Sequence, residues 1–173
     1  MHGSSAYLYI QEMLYKNIET MFKKVSEIIE IIEQYHIGLS QYFISLKANS
    51  EDERVKLLLE FLGKSEAHLA EYLEKYRKNS PNRLMNAWVK YVPWLPTDIY
   101  CECRKNLNLQ PPLVTYNVLD AALHFDDCLV NYYTTLVQEI QNERVGEIFA
   151  NLLRVTKKHE MNLARDVSWL HDL

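Results

Sequence analysis

The sequence predicts an all-α fold in which four long helices form two antiparallel hairpins joined by a long crossover. Glycine occurs only four times, so the frequent turns that a compact sheet needs are missing over long stretches. Apolar residues instead recur at alternating gaps of three and four, which is the spacing of one helix face. All five prolines lie between positions 81 and 112. We therefore predict a single domain over 1–173, with residues 79–112 as a crossover that contains short helices.

The first predicted hairpin joins an extended first helix over 6–46 to a second helix over 51–78. Ser50 and Glu53, at the turn between them, have the spacing of a capping box. The apolar row of the first helix is Val25, Ile29, Ile32, His36, Leu39, Phe43 and Leu46. The row of the second helix is Val55, Leu58, Leu62, Ser65, Leu69, Tyr72 and Tyr76, with Phe61 and His68 at one edge.

The second predicted hairpin joins helices over 116–141 and 144–171. The inward row of the earlier helix is Val118, Ala122, Phe125, Leu129, Tyr132, Leu136 and Ile140, with Asp126 and Tyr133 beside it. The row of the later helix is Val145, Phe149, Leu152, Thr156, His159, Leu163 and Leu170. In the crossover we expect the aromatic side chains to pack over the helices; they are Trp88, Tyr91, Trp94 and Tyr100.

Composition narrows the class of protein. Apolar residues make up 48% and charged residues 24% of the chain, and the net charge is −4, as in an ordinary globular domain. Because basic residues form no stripe, we expect no nucleic-acid partner. No apolar run approaches the roughly 20 residues that cross a bilayer, so we expect no membrane span. The start of the sequence lacks the pattern of a signal peptide, and three cysteines suggest no disulfide framework, so we expect a cytoplasmic protein.

Histidines and hydroxyl residues recur at matching places in the second and fourth helices. Ser65 stands three residues before His68, and Thr156 stands three residues before His159. A spacing of three puts both side chains of each pair on one helix face.

In the first and third helices, the informative spacing is seven residues. Counting back seven from Phe43 and Tyr133 gives His36 and Asp126. Counting back from Tyr42 and Tyr132 gives Tyr35 and Phe125 instead, and a third alignment places Leu39 at the first-helix position.

These positions resemble the ferritin-like superfamily of the rubrerythrin and bacterioferritin type. In that family two helices each supply a Glu, and the other two each supply a Glu with a His three residues later. Here both histidines are present, and a hydroxyl residue replaces each preceding Glu. The resemblance implies one divalent transition metal, iron or zinc, rather than a di-iron centre, or a site that has lost its metal. The expected metal ligands are His36, His68, Asp126 and His159, supported by Ser65, Thr156, Tyr35, Tyr42 and Tyr133.

Two other functions remain open, and no motif of the sequence names a reaction. One is a noncatalytic bundle that binds a protein partner or a second copy of itself, most simply as a homodimer. The apolar positions that extend the first helix favour it; they are Leu8, Met13, Leu14, Met21 and Phe22. The other is a histidine phosphotransfer module, which requires an exposed helical histidine, whereas His68 and His159 are both expected to face inward.

Overall fold

The chain is mostly helical, as predicted. The computed structural model describes residues 22–90, 95–105, 107, 109 and 111–171. In these ranges there are six helices and one two-stranded sheet. In chain order they are β1 Phe22–Lys24, α1 Val25–Ala48, α2 Glu53–Asn79, α3 Asn82–Met85, β2 Trp88–Lys90, α4 Ile99–Arg104, α5 Thr115–Glu139 and α6 Glu143–His171. Over these same residues, no helix is both long enough and apolar enough to cross a membrane.

The helices α1 and α2 form the first hairpin. Near one end Arg77 donates to the Glu33 carboxylate at 3.0 Å, and near the turn Lys47 donates to Glu60 at 2.6 Å. From the first contact to the second, the residue number increases along α1 and decreases along α2, so the two helices run antiparallel. The predicted bounds of the second helix agree with α2 to within two residues.

The start of α2 differs from the predicted capping box. The N-cap is Asp52, whose Oδ1 accepts hydrogen bonds from the backbone N–H groups of Arg54 at 2.7 Å and Val55 at 3.2 Å. The Ser50 hydroxyl is buried and has no hydrogen-bond partner among the described residues. An aspartate two residues nearer the helix therefore satisfies the free N–H groups, and the capping box at Ser50 and Glu53 was wrong.

The helices α5 and α6 form the second hairpin, within two residues of the predicted bounds. Only residues 140–142 separate them. The Asn142 side chain accepts from the backbone N–H of Val145 at 3.2 Å, which satisfies one of the free donors in the first turn of α6. A connection this short makes the two helices antiparallel neighbours.

The prediction for the first helix was wrong at its described beginning. Residues 22–24 are extended in β1 and pair antiparallel with β2 of the crossover, with Lys23 opposite Val89. Helix α1 begins only at Val25, whose N–H donates to the carbonyl of Ala87 at 3.0 Å. The predicted helical residues 6–21 lie outside the described part of the chain.

A cluster of aromatic rings joins the first hairpin, the crossover and α5 around Phe125, which is fully buried. Tyr42 and Phe43 of α1 meet its ring edge-on, with ring centroids 5.9 and 6.2 Å away. Tyr100 of α4 stacks on the same ring at 6.2 Å. This confirms the predicted packing for Tyr100, whereas Trp88 is exposed. The other two crossover aromatics, Tyr91 and Trp94, lie outside the described residues.

The buried face of α2 is rotated relative to the predicted row. The buried residues are Val55, Leu59, Leu62, Gly63, Glu66, Ala70 and Leu73. Positions 59, 66 and 73 thus replace the predicted 58, 65 and 72, a rotation of about 100° around the helix. The rotation buries one carboxylate, Glu66, and exposes Phe61, His68 and Tyr72.

Candidate functional site

The first component of the site is a buried, hydrogen-bonded histidine–carboxylate pair between α1 and α2. Nδ1 of His36 lies 2.6 Å from Oε2 of Glu66, and the two side chains are only 8% and 5% exposed. Because an ionised carboxylate can only accept a hydrogen bond, Nδ1–H is the donor. A carboxylate tolerates such burial only when it is paired, which explains why Glu66 faces the interior beside His36.

The second component is the corresponding pair between α5 and α6. Nδ1 of His159 lies 2.7 Å from Oδ2 of Asp126, with the aspartate buried and the histidine side chain 34% exposed. Burial raises the pKa of the Asp126 carboxyl, outweighing the opposing effect of the hydrogen bond from His159. That same hydrogen bond raises the pKa of His159. Both groups therefore hold protons more tightly than they do in water.

The two pairs form one electrostatic cluster. The negative charge of Glu66 further raises the pKa of both Asp126 and His159, while His36 lowers that of Asp126. Tyr133 is fully buried next to the cluster. Burial raises the pKa of its hydroxyl far above the usual value, and the charges of Glu66 and Asp126 raise it further. One polar group from each long helix therefore contributes to the cluster, and Tyr133 remains a protonated phenol beside it.

A cavity of about 390 Å³ reaches the cluster from the surface. Its polar end is formed by His36, Asp126 and His159, and its walls are mainly apolar, as at Leu129 and Leu152. Tyr72 of α2 and Val155 of α6 also line it and are largely exposed, at 61% and 60%. The mouth of the cavity therefore lies between α2 and α6. An apolar cavity of this size that ends in a few polar groups has the usual form of a small-molecule site.

Three of the four predicted ligands thus come together at one cavity, and the fourth does not. The prediction that His68 faces the interior was wrong, because the rotated face of α2 leaves its side chain exposed. Glu66 occupies the inward position instead, and Ser65, predicted to support the site, is only partly buried. From the sequence, Glu66 is excluded as a ligand because it lies two residues from His68, about 200° around the helix, and so cannot share an ion with it. The sequence does contain one indication that Glu66 faces inward. Glu66 lies one turn before Leu69, a residue of the predicted apolar row that does face the cavity.

The other residues predicted to support the site are Thr156, Tyr35, Tyr42 and Tyr133, and all four belong to helices. Of these four, Thr156 and Tyr133 line the cavity. Tyr35 is buried and its hydroxyl donates to the backbone carbonyl of Phe125 at 2.6 Å. Tyr42 is buried in the aromatic cluster beside Phe125. Tyr35 and Tyr42 therefore fix the position of α5 relative to α1 rather than contribute polar groups to the cavity.

The four polar groups chemically suit a single zinc or iron(II) ion, since imidazole and carboxylate are ligands of both metals. Within the described ranges, however, no three His, Cys, Asp or Glu side chains are already placed to share an ion. Ligand atoms of a tetrahedral ion lie about 3.4 Å apart when each is about 2.1 Å from the metal. The N···O distances here are 2.6 and 2.7 Å. An ion therefore has to displace the proton within each pair, move the two atoms of each pair apart by about 0.7–0.8 Å, and draw the two pairs together around it.

A second group of reactive side chains lies where α4 meets α5. Nε2 of His124 lies 3.0 Å from the carbonyl oxygen of Cys103 and 4.0 Å from Sγ of Cys128. A hydrogen bond between the two thiols raises the pKa of Cys103 and lowers that of Cys128. These thiols are separate from the described lining of the cavity.

Comparisons of the chain with protein-family models, with curated proteins and with solved structures found no match. The function of the site therefore has to be inferred from its own residues. The features that carry most weight are the two histidine–carboxylate pairs, one buried and one partly exposed at His159, and the cavity that leads to them.

Proposed function

We propose that the chain is a ferritin-like four-helix bundle with an altered central site that binds one divalent metal ion, iron or zinc. Two helix hairpins connected by a long crossover support this proposal, because this is the order of elements in ferritin-like bundles. The observation that carries it is that His36, Asp126 and His159 line one cavity from three different helices, while Glu66 of the fourth is bonded to His36.

With Glu66 facing inward in place of His68, the site matches the Glu-x-x-His pattern of the family better than the predicted set of ligands does. On α2, Glu66 takes the place of the motif Glu, and Leu69 takes the place of the His three residues later. On α6, Thr156 takes the place of the Glu and His159 that of the His. Each half of the site has therefore kept one residue of its Glu-x-x-His pair, and the first and third helices add His36 and Asp126.

The donor set favours one ion over two. Two carboxylates balance the charge of one divalent ion, and two imidazoles complete four ligands. A di-iron centre of this family uses four carboxylates and two histidines, whereas among the described residues the cluster has two carboxylates, Glu66 and Asp126. A single ion also removes the repulsion between these two buried carboxylates.

The proposal can be tested by titrating metal-free protein, purified without nickel affinity, with Zn²⁺ in a calorimeter and with Co²⁺ by visible absorption. We expect one equivalent to bind, with intense tetrahedral Co²⁺ bands and release of protons. His36→Gln and His159→Gln should each weaken binding at least tenfold.

His68→Gln is the matched control, since the same substitution at the exposed histidine of α2 should leave affinity unchanged. Less than a tenth of an equivalent bound to the unsubstituted protein would overturn the proposal. An equal loss in the His68 variant would also overturn it.

A second candidate is self-association or binding of a protein partner through the outer face of α2. Leu57 and Phe61 are 67% and 60% exposed on that face, one turn apart, and Tyr72 is exposed further along it. Clustered apolar side chains on a helix surface mark interaction sites more often than single ones do. Sedimentation velocity should show a dimer that dissociates in a Phe61→Glu variant. A monomer at every concentration tested would exclude self-association through this face.

A histidine phosphotransfer role gains one supporting observation, since His68 is exposed on a long helix. Incubation with acetyl phosphate followed by phosphorus NMR tests it directly. A phosphohistidine signal that disappears in His68→Gln would support the role, and the absence of any signal would exclude spontaneous phosphorylation from this donor.

A further inference from the structure

We infer that the cavity between α2 and α6 binds a small neutral molecule with an apolar body and one hydroxyl head, of the class of medium-chain aliphatic alcohols, with its head at His159 and Asp126. The inference concerns the same cavity as the proposed metal site. It does not require the ion, because the apolar walls and the polar end are both present in the protein alone.

The walls select the body of the ligand. Leucines from three helices line the cavity, Leu73 from α2, Leu129 from α5 and Leu152 from α6, and such side chains favour an aliphatic or aromatic group. At roughly 30 Å³ for each non-hydrogen group, a cavity of about 390 Å³ holds at most about a dozen such groups. An eight- to ten-carbon chain with one head group fills most of that space.

The charges of the lining select the head. The charged groups at the inner end occur as two pairs, with His36 bonded to Glu66 and His159 bonded to Asp126. The described lining contains no Lys or Arg, so a carboxylate or phosphate head would find no unpaired cation there. An ammonium head would find no unpaired anion, because each carboxylate already faces a histidine. A neutral hydroxyl has neither difficulty.

A hydroxyl also matches the hydrogen-bonding groups at the polar end. It can donate to the Asp126 carboxylate, and it can also pair with Nε2 of His159 in either protonation state of the ring, because a hydroxyl both donates and accepts and Nδ1 is already bonded to that carboxylate. Thr156, which lines the same part of α6, offers a further hydroxyl. A pure hydrocarbon could not pair with Nε2 of His159, the ring nitrogen that is not bonded to Asp126, and burying it against a hydrocarbon is unfavourable.

The position of the mouth gives the ligand a route in. Tyr72 and Val155, on opposite sides of the mouth, are more than half exposed, and Asn151 next to them is exposed as well. A molecule can therefore enter head first between α2 and α6 without unfolding either hairpin.

The test is a calorimetric or NMR titration of metal-free protein with straight-chain alcohols from pentan-1-ol to decan-1-ol. Each added CH₂ should strengthen binding about fourfold while the cavity is filling, and the gain should stop once the chain is longer than the cavity. Octan-1-ol should bind at least tenfold more tightly than octanoate or octylammonium. Equal or tighter binding of either charged compound would overturn the neutral head, and no measurable binding of any alcohol would overturn the whole inference.

Variants locate the site. Leu152→Trp should fill the cavity and weaken octan-1-ol binding at least tenfold, whereas Leu153→Trp, at the next position but outside the described lining, should change it less than twofold. Val155→Trp, at the exposed mouth, gives the same blocking test at a position that tolerates a large side chain. Loss of binding in Leu153→Trp alone would place the site elsewhere.

The alcohol titration and the metal titration fail independently. Metal-free protein that binds octan-1-ol but never Zn²⁺ would leave this inference standing and remove the proposed metal function. Protein that binds one Zn²⁺ but no alcohol would do the reverse.

Discussion

The pair between His36 and Glu66 should be strongly cooperative, and a double-mutant cycle with leucine at both positions measures this. Removing one partner leaves the other buried in apolar surroundings, since the two side chains are 8% and 5% exposed. Removing both leaves two leucines between α1 and α2, where leucine is already the commonest buried neighbour, as at Leu39 and Leu62.

The expected size follows from the burial and from the charges nearby. Breaking a buried ion pair from one side costs about 3–5 kcal/mol, while replacing both partners with apolar residues is often close to neutral. His36→Leu should be the more costly single change, because it leaves the Glu66 carboxylate unpaired near Asp126. Glu66→Leu removes that repulsion and should cost about 2–4 kcal/mol. If the double variant loses about 0–2 kcal/mol, the coupling energy is at least about 3 kcal/mol.

Urea unfolding of the metal-free protein, followed by far-UV circular dichroism at pH 7, gives the four free energies. The exposed pair of Glu71 and Lys75 on α2, 3.7 Å apart, is the control and should show no coupling beyond experimental error. A coupling below about 0.5 kcal/mol between positions 36 and 66 would refute the reasoning, because it would mean that water already solvates the pair.

Three further outcomes are expected. The free energy of unfolding of the metal-free protein should fall as the pH rises from about 6.5, because the raised pKa of His159 means that the folded state holds its proton more tightly than the unfolded state does. The raised pKa of Asp126 has the same sign, but its effect begins at about pH 3.9, the ordinary pKa of an aspartate. His159→Gln should flatten the profile above about pH 6.5, whereas an unchanged slope would contradict the assignment. Asp52→Ala should lower the free energy of unfolding by about 0.5–2 kcal/mol through loss of the α2 cap, as measured by urea unfolding. Ser50→Ala should change that free energy by less than about 0.5 kcal/mol. Equal losses in the two variants would point to Ser50 as the cap. Gly38→Ala should destabilise the fold by about 1–2 kcal/mol, because a Cβ there would lie 2.9 Å from ring carbons of Tyr100, which stacks on Phe125 of α5. A gain in melting temperature would show that this ring can move.

The helices could be predicted from the sequence because their signal is local. Rows of apolar residues at gaps of three and four run through each long helix, and the bounds of α2, α5 and α6 follow to within two residues. Two predicted inward positions were also correct, since His36 on α1 and Asp126 on α5 are both buried.

The rotation of α2 could not be read in the same way. The run Leu57, Leu58 and Leu59 is compatible with more than one buried face, and a glutamate counts as a surface residue until its partner is known. That partner, His36, is on another helix and 30 positions away. The correct face therefore depends on a tertiary contact, and a helical period calculated within α2 alone does not contain that information.

Strand β1 was missed for a related reason. It has only three residues, too few for an alternating pattern, and its partner β2 lies more than 60 positions later in the chain. Lys23 and Lys24 also continue a pattern that suits an exposed helix face. Only the ladder between the two strands distinguishes extended backbone from another helical turn.

That ladder also affects where the protein can safely be shortened. A fragment that starts at Val25 would keep the whole of α1 but lose the strand that pairs with β2. The backbone N–H and C=O of Val89, which lies opposite Lys23 in a hydrogen-bonded pair, would lose their partners, leaving a free strand edge in the crossover. The smallest stable fragment should therefore begin no later than Phe22, even though the first long helix starts three residues further on.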